Sequence, residues 1–259
     1  QAEAPEPDSD ASFEFIKCPS HAMQPVYEMA KRVATTDITV LLQGETGTGK
    51  DVMAKQIHCQ SRRRNGPFTT LDCGLLNQNL AESELYGHRK GAFSGAMERK
   101  LGLVEKSHQG TLFLDEIGNI DLDLQKKFLR FLETRKFRRV GETQESKVDT
   151  RFILATNMDL QEALKKGNLR EDLFYRMDVI QIYIPPLRDR PEDIEPNLDY
   201  ELERYAEKHN RQVRFSKEAR RRFLAFAKSP EARWTANFRD LNNAIVRMAT
   251  LAPGGRITG

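Results

Sequence analysis

The chain has 259 residues, with 41 lysines and arginines against 38 acids and a formal net charge of +3. That length suits a large and a small unit, each with its own core, and so slight a positive excess makes no general case for nucleic-acid binding. Cys18, Cys59 and Cys73 are odd in number and lack metal-ligand spacing, which argues against a disulfide framework and suits buried thiols in a reducing cytosol. No apolar run approaches a membrane span and no signal peptide opens the chain.

The opening QAEAPEPDSD begins without Met and is rich in proline and acids. Residues 1–12 therefore read as a tail cut through an interdomain linker, and the chain as an excised central module. From about residue 22 short apolar runs alternate with amphipathic segments. ITVLLQG (38–44), GTLFLDE (110–116) and TRFILATN (150–157) read as buried parallel strands. Leu124, Phe128, Phe131 and Leu132 share one helical face, with Lys126, Lys127 and Arg130 turned away. This βαβ succession predicts a parallel sheet between helices over residues 13–187. YIPPLRDRPEDI (183–194) breaks the rhythm and restarts as helix at Pro191-Glu192-Asp193. Residues 188–259 have helical periodicity and no convincing strand, so a small all-helical unit is expected.

GETGTGKD, Gly44 to Asp51, follows a predicted strand and opens a predicted helix, the context a phosphate-binding P-loop needs. Gly44, Gly47 and Gly49 let backbone N–H groups turn toward phosphates, together with Glu45, Thr46 and Thr48; the helix N-terminus adds positive potential, and Lys50 reaches the β- and γ-phosphates. Asp51 stands where Ser or Thr usually binds magnesium. TLFLDE carries two acids to the end of a strand, where ligands bind in open α/β folds. Asp115 is the candidate Mg2+ partner and Glu116 the candidate base that polarises the attacking water; acids placed so also serve as helix N-caps. Thr156 and Asn157 end a third strand at the same edge, where they could orient the water or the γ-phosphate.

Arg170 and Arg176 in NLREDLFYRM lie far along the chain from the P-loop. They suit a neighbour's nucleotide across a subunit interface, as arginine fingers, and equally a solvated helix face. Arg239 lies just after a plausible N-cap, Asn237, where the helix dipole disfavours a cation; a nearby phosphate would remove that conflict. GHRKGAFSGAMER, Gly87 to Arg99, sets Phe93 in a loop of small and charged residues, although burying such a ring contributes about 1.5–3 kcal/mol.

The order GETGTGKD, AESELYGHRKGAFSGA, GTLFLDEIG, RRVG, ATN, LREDLFYRM, PPLRDRPEDI and WTANFRDL resembles the central AAA+ domain of bacterial enhancer-binding proteins, the ATPases that activate RNA polymerase carrying sigma-54. The resemblance spans nearly the whole chain. It implies an α/β P-loop AAA+ fold with a helical lid, ATP and Mg2+ as cofactors, a cytoplasmic location, and a ring, usually a hexamer, whose hydrolysis remodels the closed promoter complex. It also implies that Gly91, Ala92, Phe93, Ser94, Gly95 and Ala96 grip sigma-54 in the polymerase holoenzyme. Thr156 and Asn157 fall on sensor I, Arg239 on sensor II, Arg170 and Arg176 on the interface arginines, and Lys136 to Asp149 on the insertion that moves with the first loop. DNA binding is expected from a C-terminal domain outside this sequence.

Three positions depart from that family pattern. Ser94 replaces Thr, WTAN replaces WPGN, and Asp72 stands where an Asn switches between the catalytic Glu and other positions; an ionised Asp cannot donate a hydrogen bond to Glu116. The family usually has Glu at the position of Asp51, so the missing hydroxyl does not argue for a dead site. Another AAA+ remodelling ATPase would share the nucleotide motifs but not GAFSGA. An ATP-dependent assembly switch with weak hydrolysis would rest on Asp72. Direct DNA binding through Arg62–Arg64 or Arg220–Arg222 is disfavoured, since short basic runs are usually solvated faces.

Overall fold

The computed structural model describes residues 19–75, 78–177 and 179–258. The expected tail at 1–12 and Cys18 lie outside them. Contacts divide the described residues into two compact units, one within Met29–Gln43 and Lys50–Tyr183, the other within Gly44–Gly49, Ile184–Gly259 and the described residues up to Glu28. Helix α1 (Gln24–Ala34) crosses that division.

The larger unit is built on β1 (Val40–Gln43), β2 (Phe68–Asp72), β5 (Thr111–Asp115), β8 (Arg151–Thr156) and β9 (Ile180–Tyr183), all parallel in the order β2-β5-β8-β1-β9. All six residues of β8 are buried, because a central parallel strand is covered on both faces and its apolar run is therefore continuous. Helices α2 (Lys50–Cys59), α3 (Gln78–Tyr86), α4 (Leu103–Lys106), α5 (Leu122–Thr134), α6 (Leu160–Lys165) and α7 (Glu171–Met177) complete the unit. The α5 face read from sequence is the buried one: Leu124, Phe128, Phe131 and Leu132 pack into the core with Phe152 and Leu173. Asp121 caps this helix by accepting from the Leu124 N–H at 2.8 Å.

Two short hairpins interrupt the α/β alternation. Strands β3 (Gly87–His88) and β4 (Lys100–Leu101) pair antiparallel around the GAFSGA loop, and β6 (Lys136–Phe137) and β7 (Ser146–Lys147) around residues 138–145. The loops are joined: the Arg89 N–H donates to the Val140 carbonyl at 3.1 Å and the Val140 N–H to the Gly87 carbonyl at 2.9 Å. Arg151, fully buried, donates to the Ala34 and Val33 carbonyls at 3.2 and 2.7 Å, so a cation closes the C-terminus of α1.

In the other unit α8 (Ile194–His209), α9 (Lys217–Ala227) and α10 (Phe238–Leu251) bury Leu198, Leu241 and Ile245 in a common core. It is not purely helical as expected. Strands β10 (Arg214–Phe215) and β11 (Arg256–Ile257) pair in parallel; two residues each are too short to show a period in sequence. Cys59 is a second correction: it is exposed, whereas Cys73 is buried, because Cys59 ends α2 on the face away from Ile57 and His58.

Candidate functional site

The register of the sheet assembles an acidic edge. Asp72 and Asp115 are Cα partners at the ends of β2 and β5, and Thr156 ends β8 beside them. Glu116 follows in the left-handed region, φ 51° and ψ 45°, a conformation that costs a non-glycine residue about 1–2 kcal/mol and is stored where geometry matters. Its carboxylate lies 3.6 Å from the Lys50 ammonium, and its second oxygen accepts from the Asn157 N–H at 3.2 Å. Lys50 is buried at the start of α2. Lys50, Asp115, Glu116 and Asn157 thus meet within one unit.

Burial first, then the charges of Glu116 and Asp72, push the Asp115 carboxyl above its ordinary value, with Lys50 opposing them. The buried Cys73 thiol is pushed up to about 12 by burial and by the same three carboxylates. Three acids around one lysine leave the edge short of positive charge, and Asp115 fits a divalent cation on that ground. Among the described residues, no group of three or more His, Cys, Asp or Glu side chains could hold a metal ion by itself, so Asp115 would need oxygens from a ligand or water.

Asp72 does not turn to Glu116. It is exposed and accepts from the Gly74 N–H at 2.8 Å. Thr156 is fully buried, and its hydroxyl accepts from the Met158 N–H at 3.1 Å, so it shapes the turn after β8. Asp51 is exposed in the first turn of α2.

The P-loop segment Gly44–Gly49 belongs to the other unit and continues along the chain into Lys50. Gly47 and Gly49 have φ of +77° and +94°; a Cβ at Gly47 would lie 2.1 Å from the Ala236 carbonyl oxygen, and one at Gly49 meets nothing within 4 Å. Backbone open on one side, in a conformation that favours glycine, fits a phosphate chain. The carboxylate of Glu45 takes a bidentate hold from Arg188 at 2.6 and 2.9 Å and an Asn237 amide N–H at 3.2 Å. Any phosphate contact from Glu45 would therefore come from its backbone. The buried hydroxyl of Thr48 donates to the Glu45 carbonyl at 2.8 Å.

Three residues holding this loop were not singled out from sequence. Arg190, 1% exposed, donates to the Thr48 carbonyl at 2.8 Å and stacks over Phe238 at 4.7 Å. Asp193 accepts from the Ser20 N–H and hydroxyl at 3.0 and 2.9 Å and lies 3.8 Å from Arg190. Arg188 is the third. The sequence signal was a pair of cations next to acids in LRDRPED. Asn237 is a correction: its side chain does not cap α10. Its amide N–H donates to the Thr46 carbonyl at 3.0 Å, its oxygen accepts from the Leu187 N–H at 2.6 Å, and Asp240 receives the Ala236 N–H instead. Arg239 is exposed, and its Cβ lies 3.2 Å from where a Gly47 Cβ would be.

Arg176 is exposed in the last turn of α7, just before β9 begins at Ile180; burial first, then the charges of Arg176 and Arg63, depress the Arg135 pKa, with Asp149 and Asp37 opposing them. Arg176 therefore sits toward the N-terminal edge of the sheet, opposite Asp115. Arg170 forks onto Asp172 at 3.0 and 2.6 Å, and its backbone N–H donates at 2.9 Å to Gln125. The fully buried Gln125, another residue the sequence reading passed over, also donates to the Ile120 and Asn168 carbonyls.

The GAFSGA loop is tightly turned. The Gly91 N–H donates to the Ala96 carbonyl at 2.8 Å and the Ala96 N–H to the Phe93 carbonyl at 3.0 Å. Gly91, Phe93, Ser94 and Gly95 are exposed, Ala92 is half-buried and Ala96 is buried. The Phe93 ring is 37% exposed and rests edge-on against His88 at 4.9 Å. Met97, 79% exposed, is an apolar loop residue the sequence reading passed over.

A parallel sheet with a P-loop after β1, an acidic pair ending β5 and a C-terminal helical lid define an AAA+ P-loop NTPase. Residues 16–183 match the family described as the sigma-54 interaction domain, and residues 188–259 match the AAA+ ATPase lid domain. The chain belongs to the sigma-54 interaction domain family, the AAA+ ATP-binding domain of sigma-54-dependent transcription activators. It is 45% identical over 246 residues to the Nif-specific regulatory protein of Herbaspirillum seropedicae, covering 92% of this chain and 43% of that protein. It is 44% identical over 235 residues to the regulatory protein AtoC of Escherichia coli K12, covering 91% and 50%. Among solved structures, NtrX from Brucella abortus in complex with ATP superimposes with a TM-score of 0.82 at 33% identity, over 93% of this chain and 53% of that one. The chain thus spans about half the length of the curated relatives it matches. No helix among the described residues is long and apolar enough to cross a membrane.

Proposed function

We propose that this domain hydrolyses ATP and, as a cytoplasmic homo-oligomeric ring, uses the cycle to remodel the closed promoter complex of sigma-54 RNA polymerase. The observation that carries the reading is the acidic edge, where Glu116 is held between the Lys50 ammonium and the Asn157 N–H in a chain of the sigma-54 interaction family. The P-loop Gly44–Asp51 binds the phosphates with Lys50, and Arg239 approaches them from the lid. Asp115 is the residue that would hold Mg2+, which when bound offsets charge on the phosphates. Glu116 accepts the proton of the attacking water, and Asn157 keeps that carboxylate in place. Arg170 and Arg176 act on a neighbouring subunit's nucleotide, in keeping with the location of Arg176 just before the N-terminal end of β9, whereas Asp115 lies at the C-terminal end of β5.

The GAFSGA loop supplies the contact. Phe93 offers a partly exposed aromatic anchor resting on His88, the kind of residue that dominates an interface. The test is capture of sigma-54 by the domain with ADP and aluminium fluoride. Phe93→Ala should keep phosphate release and its melting temperature yet lose capture, a cost of about 2 kcal/mol or more. Retained capture, or a melting point lowered by several degrees, contradicts the role given to the loop.

A further inference from the structure

A cleft of about 210 Å3 opens at the base of the 138–145 loop, where Lys127, Arg130, Lys136 and Arg138 face two carboxylates, Glu82 and Glu145. One oxygen of Glu145 accepts from both Arg130 and Arg138, at 2.8 and 3.0 Å, while the Lys136 ammonium stands 3.9 Å from the other. Lys127 pairs with Glu82 at 2.5 Å. Three cations therefore converge on a single half-buried carboxylate, and the cleft keeps an excess of positive charge. All four cationic side chains are more than half exposed, and pairs so exposed contribute little to stability. Exchanging the resident carboxylate for another costs correspondingly little.

Two further features point to a ligand. Tyr86 lines the same cleft, and its hydroxyl, in a side chain 3% exposed, has no hydrogen-bond partner among the described residues; a buried donor in that state favours an arriving acceptor. The loop that Glu145 closes is also the one tied to the GAFSGA stem, through both bonds of Val140. A ligand that displaces Glu145 thus acts on residues 87–89.

We propose that this cleft docks an acidic segment of the protein that the GAFSGA loop engages, with Glu145 occupying it as an internal stand-in until an external Asp or Glu side chain takes its place. The proposal rests on the reading that this loop grips sigma-54. Carboxylate chemistry is favoured over a nucleic-acid backbone because the cationic groups surround a small pocket walled by Phe131 and Phe137 instead of forming an extended stripe, and Glu82 would repel successive phosphates.

The experiment compares capture of sigma-54, with ADP and aluminium fluoride, by the unaltered domain and by Glu145→Gln, Arg138→Glu and Phe93→Ala, over a range of salt. Removing the stand-in frees the cations, so Glu145→Gln should tighten capture about threefold and steepen its salt dependence, with phosphate release unchanged. Arg138→Glu should weaken capture about tenfold while phosphate release and the circular-dichroism melt report a folded domain. A synthetic Glu-rich peptide should compete with sigma-54 for the unaltered domain. Unchanged capture and salt dependence in Glu145→Gln, or a Glu-rich peptide that does not compete, overturns the proposal. So does a Glu145→Gln gain seen only with random-sequence duplex DNA. Phe93→Ala separates the two readings: if it retains capture, the loop reading fails, whereas if it loses capture while Glu145→Gln changes nothing, the cleft proposal alone fails.

Discussion

The P-loop clasp and the acidic edge treat charge in opposite ways. Around the P-loop, Glu45 has Arg188 and Asn237, and Arg190 has Asp193 and the Thr48 carbonyl. At the end of β5, Asp115 and Glu116 share Lys50, and the charge of Asp72 adds to theirs. A region whose partners are supplied from within keeps its shape without a ligand. A region left short of positive charge gains most when a metal-bound nucleotide and a neighbour's arginine arrive. The difference separates residues that hold the binding loop from those proposed to carry the chemistry.

The contrast breaks first at Glu116. Glu116→Gln should lower phosphate release by about 10²–10⁴-fold while fluorescent-nucleotide titration shows retained affinity; turnover within twofold of the unaltered domain would remove the edge from catalysis. Arg190→Ala should act on stability instead. It leaves the Asp193 carboxylate buried without its cation and the Thr48 carbonyl without its donor, at a cost of about 3 kcal/mol in urea unfolding. A change below about 0.5 kcal/mol would mean that the clasp is ornamental.

A pH measurement sharpens the comparison. Because the folded-state pKa of Asp115 is raised, its carboxylate is protonated at higher pH than an ordinary aspartate, so Mg2+-dependent nucleotide binding should begin to weaken at a higher pH than an ordinary aspartate would set. Asp72→Asn removes one of the charges that raise it. That variant should keep or increase hydrolysis and move the weakening to lower pH; loss of nucleotide affinity altogether would make Asp72 a ligand of the site. The smallest effect is expected at Glu45, whose pKa is lowered, chiefly by its hydrogen bonds from Arg188, from an ordinary 4.5. A depressed carboxylate stabilises the fold above its unfolded-state value and loses that contribution as pH falls through its folded one. Glu45→Gln should therefore cost less than about 1 kcal/mol at pH 7, since the pair is exposed, and progressively less as pH falls through the depressed folded-state value.

What could be read from sequence follows burial. β1, β5 and β8 occupy the middle of the sheet and show as unbroken apolar runs, whereas β2 and β9 are edge strands with mixed, half-exposed patterns and show none. The Lys50, Asp115 and Glu116 constellation was legible because each residue is fixed by its place next to a strand end. Gln125, Arg190 and Asp193 were not, because a buried polar side chain is explained only by the partner it meets, and those partners are 3 to 173 residues away along the chain. Asn237 had the right type and position for a cap, yet two backbone groups and the Glu45 carboxylate compete for its side chain.

The most direct measurement of the central claim, that the acidic edge is completed by a neighbour's arginine, is phosphate release from mixed subunits. Arg176→Ala and Glu116→Ala domains should each bind ATP and each be inactive alone. Mixed at equal concentration, they should recover activity that rises with total protein, because some interfaces then pair an intact Glu116 with an intact Arg176. No recovery at any ratio, together with activity of the unaltered domain that is constant per subunit on dilution, would contradict it.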